Sequence, residues 1–206
     1  MKLKLKLVNS DIRDSGEFDF VLMGQKNPIL RDIRRVDGVS FEEIAASGTH
    51  SHIWFLAREV GIDWKNVAYI RFRPHPSFTE RNASRITDAL SFGVKNLKAK
   101  KVAILPFSWR HPEYVATVTV YALWLIGYAA SQPYGKAIYG DPSGVEFFIF
   151  SEDSVEPYLK VLDGELSAMW NYVADVYSQS TFLFERPNIS VLRNSNINIS
   201  YKVAVL

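Results

Sequence analysis

Cysteine is absent from this chain of 206 residues, which excludes disulfide staples, thiolate metal sites and a cysteine nucleophile. An excess of one charge is also absent. The 24 Lys and Arg nearly balance the 22 Asp and Glu, leaving a formal net charge of +2, well short of the basic field of a dedicated nucleic-acid binder. No Gly-x-Ser-x-Gly elbow, Walker loop or zincin helix occurs, so the commonest signatures of hydrolases and phosphotransferases are missing. Internal repeats and low-complexity linkers are missing too. The first residues, MKLKLKLVNSD, alternate Lys with Leu instead of forming the unbroken apolar core of a signal peptide. A cytoplasmic protein is the expectation, and the Asn-x-Ser triplets at Asn82, Asn188 and Asn198 then read as chance matches.

What is present suits a folded protein. Hydrophobic residues make up 48% and charged residues 22%, a balance that supports one substantial core and argues against wholesale disorder. The segment from Tyr114 to Ser131 carries no charge. It reads as a helix buried against a sheet, because it is short for a membrane span and lacks basic anchors at its carboxyl side.

Hydrophobic periodicity orders the elements. KLKLKLV, Lys2 to Val8, predicts a strand with leucines on one face, and FDFVLM, Phe18 to Met23, predicts a second that stops at Gly24. Between Ser40 and Gly61 a broken helical pattern predicts two short helices. NVAYIRFR, Asn66 to Arg73, is a third strand, followed by a helix that Thr79 caps and that places Ile86, Leu90, Val94 and Leu97 on one face. KKVAILPF, Lys100 to Phe107, then reads as a buried strand, and a polar loop precedes the apolar helix. VEFFIF, Val145 to Phe150, is another buried strand. After it, Ser151 or Asp153 caps a helix running toward Tyr177. TFLFE, NISVLR and INISYKVAVL close the chain as strands around a turn at Arg193 to Asn196. The alternation over Asn66 to Leu162 predicts an α/β fold with a largely parallel sheet.

This order resembles a macro domain. RITDALSFGVKNLKAKKVAILPF has the helix-to-strand cadence of that family's second half, and GVEFFIFSEDSVEPYLKVL is similar to its last strand and helix. LVNSDIRD offers Asp11 and Ile12 where the family carries a Gly-Asp-Ile-Thr-like turn. FDFVLMGQKNP offers Asp19 and, one place late, the family's Asn as Asn27. The amino-terminal domain of leucine aminopeptidases is similar in architecture. The family's glycine-rich phosphate loops are not retained: SWRHPEY has no glycine, and NPILRDIRRVDG has only Gly38. The resemblance implies a three-layer mixed sheet with helices on both faces, covering residues 1–178, with a C-terminal β-hairpin extension over 179–206.

The resemblance also implies a site for ADP-ribose or a related nucleotide-like molecule. In it Asp11 holds the base, Ile12 follows it, Asn27 meets the distal ribose, and Ser108, Trp109 and Arg110 take the phosphates. Fold logic independently puts the Ser108 to His111 loop at a strand's carboxyl end, before a helix amino terminus, where α/β sheets bind ligands. A plain surface turn is the competing reading of that loop. No cofactor, metal or established reaction is implied; hydrolysis of an ADP-ribosyl bond would require Asn27 in the site. The rival class is an inert scaffold for homo-oligomer or protein assembly, supported by 5 Trp, 10 Tyr and 13 Phe. His50-Ser51-His52 has metal-like spacing but falls at a predicted helix start, where residues two apart diverge. AYIRFRPHP, Ala68 to Pro76, interleaves aromatic and arginine residues that could stack bases and hold phosphates on one sheet face; the same interleaving describes an ordinary alternating strand, and with so small a net charge neither nucleic acid nor a membrane is expected as a partner.

Overall fold

The computed structural model describes residues 1–33, 41–45, 52–56, 64, 66–164 and 197–204. Eight strands form one sheet in the order β3-β4-β5-β2-β6-β7-β1-β8. These are β1 (Lys2–Val8), β2 (Phe20–Gly24), β3 (Phe41–Ala45), β4 (His52–Leu56), β5 (Val67–Ile70), β6 (Lys101–Ile104), β7 (Glu146–Phe150) and β8 (Asn198–Ala204). The strands from β5 across to β8 are parallel, and β4 and β3 add an antiparallel edge. The fold is therefore the mixed α/β sheet that the sequence predicts.

Leucine alternation in β1 decides which face is inner. Leu3, Leu5 and Leu7 are buried and join one core with Phe147 and Ile149 of β7 and Val102 and Ile104 of β6. Helices α2 (Thr79–Lys95), α3 (Pro112–Ser131) and α5 (Glu156–Asp163) cover this face. On the opposite face a second core gathers Val21, Met23, Val67 and Tyr69 beneath Ile29 and Leu30 of α1 (Pro28–Ile33) and the buried Trp64. The lysines of β1 belong to that face, where Lys6 lies over the Phe148 ring at 4.9 Å. A short α4 (Gly135–Tyr139) follows α3.

Helix α3 is long and apolar enough to cross a membrane, but 78% of its apolar window is buried inside the fold. Helices α2, α4 and α5 pack against it and one sheet face lies beneath, so it is apolar nearly all round.

Several sequence expectations change. Where two helices were expected between Ser40 and Gly61, the described residues form β3 and β4, an antiparallel pair with Glu43 opposite Trp54. The aromatic and β-branched content of HIWFL suits a strand, and pairing with β5 through Trp54↔Tyr69 overrides the local helical spacing. His52 thus opens a strand; His50 and Ser51 lie outside the described residues. Thr79 is not the cap of α2. Phe78 holds that position without a side-chain bond, and Thr79 instead donates to the buried Tyr114 hydroxyl at 3.2 Å.

The helix after β7 stops at Asp163 with Gly164 as its C-cap, and its extension toward Tyr177 lies outside the described residues. Neither Ser151 nor Asp153 caps it: Ser154 Oγ accepts from Glu156 N–H at 3.0 Å. Of the predicted C-terminal strands only β8 is described. It pairs in parallel with β1 of its own chain, Leu3 beside Ile199, while TFLFE and NISVLR lie outside the described residues.

Candidate functional site

The carboxyl ends of β1, β2, β6 and β7 open onto one cleft of about 290 Å³. Such a position follows from topology: the chain leaves β1 for β2, with β6 and β7 later filling the space between, and the connections diverge between them. Four loops and the starts of α3 and α5 make its walls.

The β1 loop supplies Ser10, Ile12 and Arg13. Asp11 is the N-cap of a 3-10 turn, Ile12–Asp14. One oxygen of its carboxylate accepts from Arg13 N–H at 2.9 Å, and the other accepts from Arg13 Nε at 2.6 Å and from Nη2. These bonds hold the Asp11 carboxyl below its ordinary value, the side-chain bond to Arg13 being the largest cause. Asp11 itself does not line the cleft, whereas Arg13 does. Ile12 is fully buried and faces the second core.

The β2 loop supplies Asn27, whose side chain is only 4% exposed. Its Oδ1 accepts from Ile29 N–H at 3.0 Å, and its backbone carbonyl accepts from Leu30 N–H at 3.1 Å, which together start α1. The Nδ2 group has no hydrogen-bond partner among the described residues. A buried amide donor left unpaired costs on the order of 1–3 kcal/mol. Gly24, at the end of the same strand, is required by packing. A Cβ there would lie 2.3 Å from the Phe107 carbonyl oxygen, where β2 meets the β6 loop.

The β6 loop supplies Ser108 and Trp109. Ser108 Oγ accepts from Arg110 N–H at 3.1 Å, folding the loop back on itself. Trp109 stays 49% exposed, unusual for so large an apolar side chain. Arg110 is exposed and is not part of the cleft wall. His111 takes a left-handed conformation, φ 57°, before Pro112 begins α3. That turn replaces the glycine the loop lacks, at some conformational strain.

The β7 loop and the floor were not anticipated as site residues. Ser151 Oγ donates to the Ser154 carbonyl at 2.7 Å, fixing a tight turn whose Glu152 and Asp153 reach the rim. Val115, Phe150 and Tyr158 form the buried floor, and burial raises the Tyr158 phenol above its ordinary value. The signal for this loop was present: Ser-Glu-Asp-Ser follows a buried strand just as Ser-Trp-Arg-His does.

The structure thus brings together Ile12, Asn27, Ser108 and Trp109, and leaves Asp11 and Arg110 beside the cleft. Asp19, the other acidic residue in the resemblance, sits at the opposite end of β2. Its carboxylate accepts from Lys100 N–H and Lys101 N–H at 2.8 and 3.0 Å, fastening the turn into β6.

No protein-family model matches the chain, and no curated protein matches it. Similar solved structures include an Oceanobacillus iheyensis macrodomain variant, with 14% identity, 82% of this chain and 92% of that chain covered, and a TM-score of 0.43. A second variant of that macrodomain, with ADPR, has 12% identity, the same coverage and a TM-score of 0.43. The same macrodomain with ADP has 13% identity, again the same coverage and a TM-score of 0.41.

Proposed function

We propose that this cleft binds a nucleotide-like ligand, ADP-ribose or a close relative, in a module that has no established reaction. The observation that carries the reading is Asn27, a buried residue on the cleft wall whose Nδ2 group has no hydrogen-bond partner among the described residues. A ribose hydroxyl or phosphate oxygen would satisfy it. Trp109, half-exposed on the same cleft, offers a flat face to a base, as aromatic side chains do where one side stays wet. The Ser108 hydroxyl and the amino-terminal turn of α3 supply donors to the region between.

In this reading Asp11 acts through Arg13. Its carboxylate is already occupied, so it orients the guanidinium that lines the wall. Arg110 lies outside the wall, so the phosphates would meet Ser108 and loop N–H groups.

The test is a thermal-shift panel of ADP-ribose, ADP, AMP and NAD on wild type and Trp109→Ala. Ligand at a hundred times its dissociation constant stabilises by about 2.7 kcal/mol, about 5–10 °C for a chain of this length. ADP-ribose should raise the melting temperature of wild type by that amount and of the variant by far less. No shift with any nucleotide would refute the reading.

A further inference from the structure

A second feature stands on the same edge of the sheet, outside the cleft wall. β5 ends at Ile70, and the chain continues as Arg71-Phe72-Arg73 before α2 begins. Two further arginines, Arg81 and Arg85, sit four residues apart on α2 and so share a helix face. Arg85 Nη1 donates to the Arg71 carbonyl at 2.6 Å, which joins the helix face to the strand end. The Arg73 guanidinium lies over the Phe78 ring at 4.8 Å.

Buried polar groups fix this arrangement. Asn82, fully buried, accepts from Arg73 N–H at 3.2 Å through Oδ1 and donates to the Arg73 carbonyl at 2.7 Å through Nδ2. The same Nδ2 donates to Tyr114 Oη at 3.2 Å, and that hydroxyl donates to the His75 carbonyl at 3.0 Å. The backbone that carries Arg73 is therefore tied to two helices at once. Phe72 is stacked on Phe107 at 5.5 Å, anchoring the strand end to the core.

Arg71 and Arg73 at the strand end thus lie beside the helix that carries Arg81 and Arg85, and among the described residues none of the four pairs with a carboxylate. Burial, and then Arg81, Arg73 and Arg71, push the Arg85 guanidinium below its ordinary value. Like charges gathered without a counter-ion oppose folding, and a rigid scaffold that holds them together is what a polyanion site requires. Guanidinium forks match the paired oxygens of a phosphoryl group, and several forks together favour more than one such group.

We propose that Arg71, Arg73, Arg81 and Arg85 form a second binding site for an anion bearing several phosphoryl groups. The site is independent of the cleft and stands whether or not the cleft takes a nucleotide. Inorganic tripolyphosphate is the probe, titrated calorimetrically into the full chain at low salt, with citrate as a carboxylate of similar charge. The expected result is saturable binding of one tripolyphosphate, weaker binding of citrate, and at least a tenfold loss in an Arg73→Gln, Arg81→Gln double variant. Among the described residues neither substituted side chain makes a hydrogen bond, and Arg73 gives up only its contact with the Phe78 ring. With no anion present, the double variant should melt at or above wild type, because repulsion has been removed.

No saturable binding, equal affinity for citrate, or undiminished binding by the double variant would overturn the proposal. An oligothymidylate arm identifies the source of the phosphates. Tighter binding than tripolyphosphate with the same sensitivity to the double variant points to a nucleic-acid strand. Binding no tighter points to a small phosphorylated molecule. Either result upholds the site.

Discussion

Two regions of this protein share one edge of one sheet and differ in nearly every other respect. The cleft at the ends of β1, β2, β6 and β7 is walled by hydroxyls, an amide and an indole above an apolar floor, and the guanidinium on its wall is held by Asp11. The cluster at the end of β5 has four guanidinium groups and no paired carboxylate among the described residues. Among the described residues, the unpartnered group of the one is a neutral donor and those of the other are charges. The contrast teaches that one topological edge can carry two unlike surfaces, because the loops, not the strands, supply the side chains.

The largest expected effect comes from the joint between them. Gly24 ends β2, between β5 and β6, and a Cβ there would meet backbone atoms of Phe107. Gly24→Ala should cost about 3 kcal/mol or more in urea unfolding and weaken both regions. Loss at only one of them would mean that the joint does not couple them.

The next effect separates the two. Trp109→Ala should reduce ADP-ribose affinity at least tenfold, and leave tripolyphosphate binding unchanged, in calorimetric titrations. Salt should then sharpen the difference. Raising ionic strength from 50 to 200 mM shortens the screening length, so tripolyphosphate affinity should fall steeply, and ADP-ribose affinity should fall less.

Much of the fold could be read from the sequence, and the reason is local. Period-two leucines in β1, unbroken apolar runs in β6 and β7, and helical spacing in α2 each carry their own signal. β3 and β4 did not, because their strand state depends on pairing with β5, a partner supplied by tertiary structure. Site legibility followed the same line. The Ser108 loop was singled out by its place at a strand end and Asn27 by the family resemblance, and both lie on the cleft wall. That Asp11 would be occupied by Arg13, two residues on, is a matter of side-chain geometry that spacing does not encode. The arginines of AYIRFRPHP suit a phosphate-holding strand and a plain one alike, and spacing does not choose between them, because Arg85 meets the Arg71 carbonyl only once α2 packs back.

The smallest expected effect concerns what lies under each region. Tyr121 is buried beneath α2, and burial, with Glu80 nearby, raises its phenol to about 12. Tyr158 under the cleft is also raised by burial. Both groups favour the neutral form in the folded state. Their stabilisation is therefore complete below the ordinary tyrosine value near 10; that of Tyr121 is lost as pH rises through about 12, and that of Tyr158 is lost in the same direction on the alkaline side. Phenolate absorbance from these two should appear together with unfolding, and a Tyr158→Phe variant should remove part of the alkaline loss.

The central claim is that the unpaired amide of Asn27 is the donor of a ligand site. Calorimetric titration of ADP-ribose into wild type and Asn27→Asp tests it most directly. The variant keeps an oxygen to accept from Ile29 N–H and replaces the orphan donor with an acceptor. The account predicts one bound ADP-ribose in wild type and at least a tenfold loss in the variant, measured where the unliganded variant is folded. Equal binding by both proteins, or no binding by wild type, would contradict it.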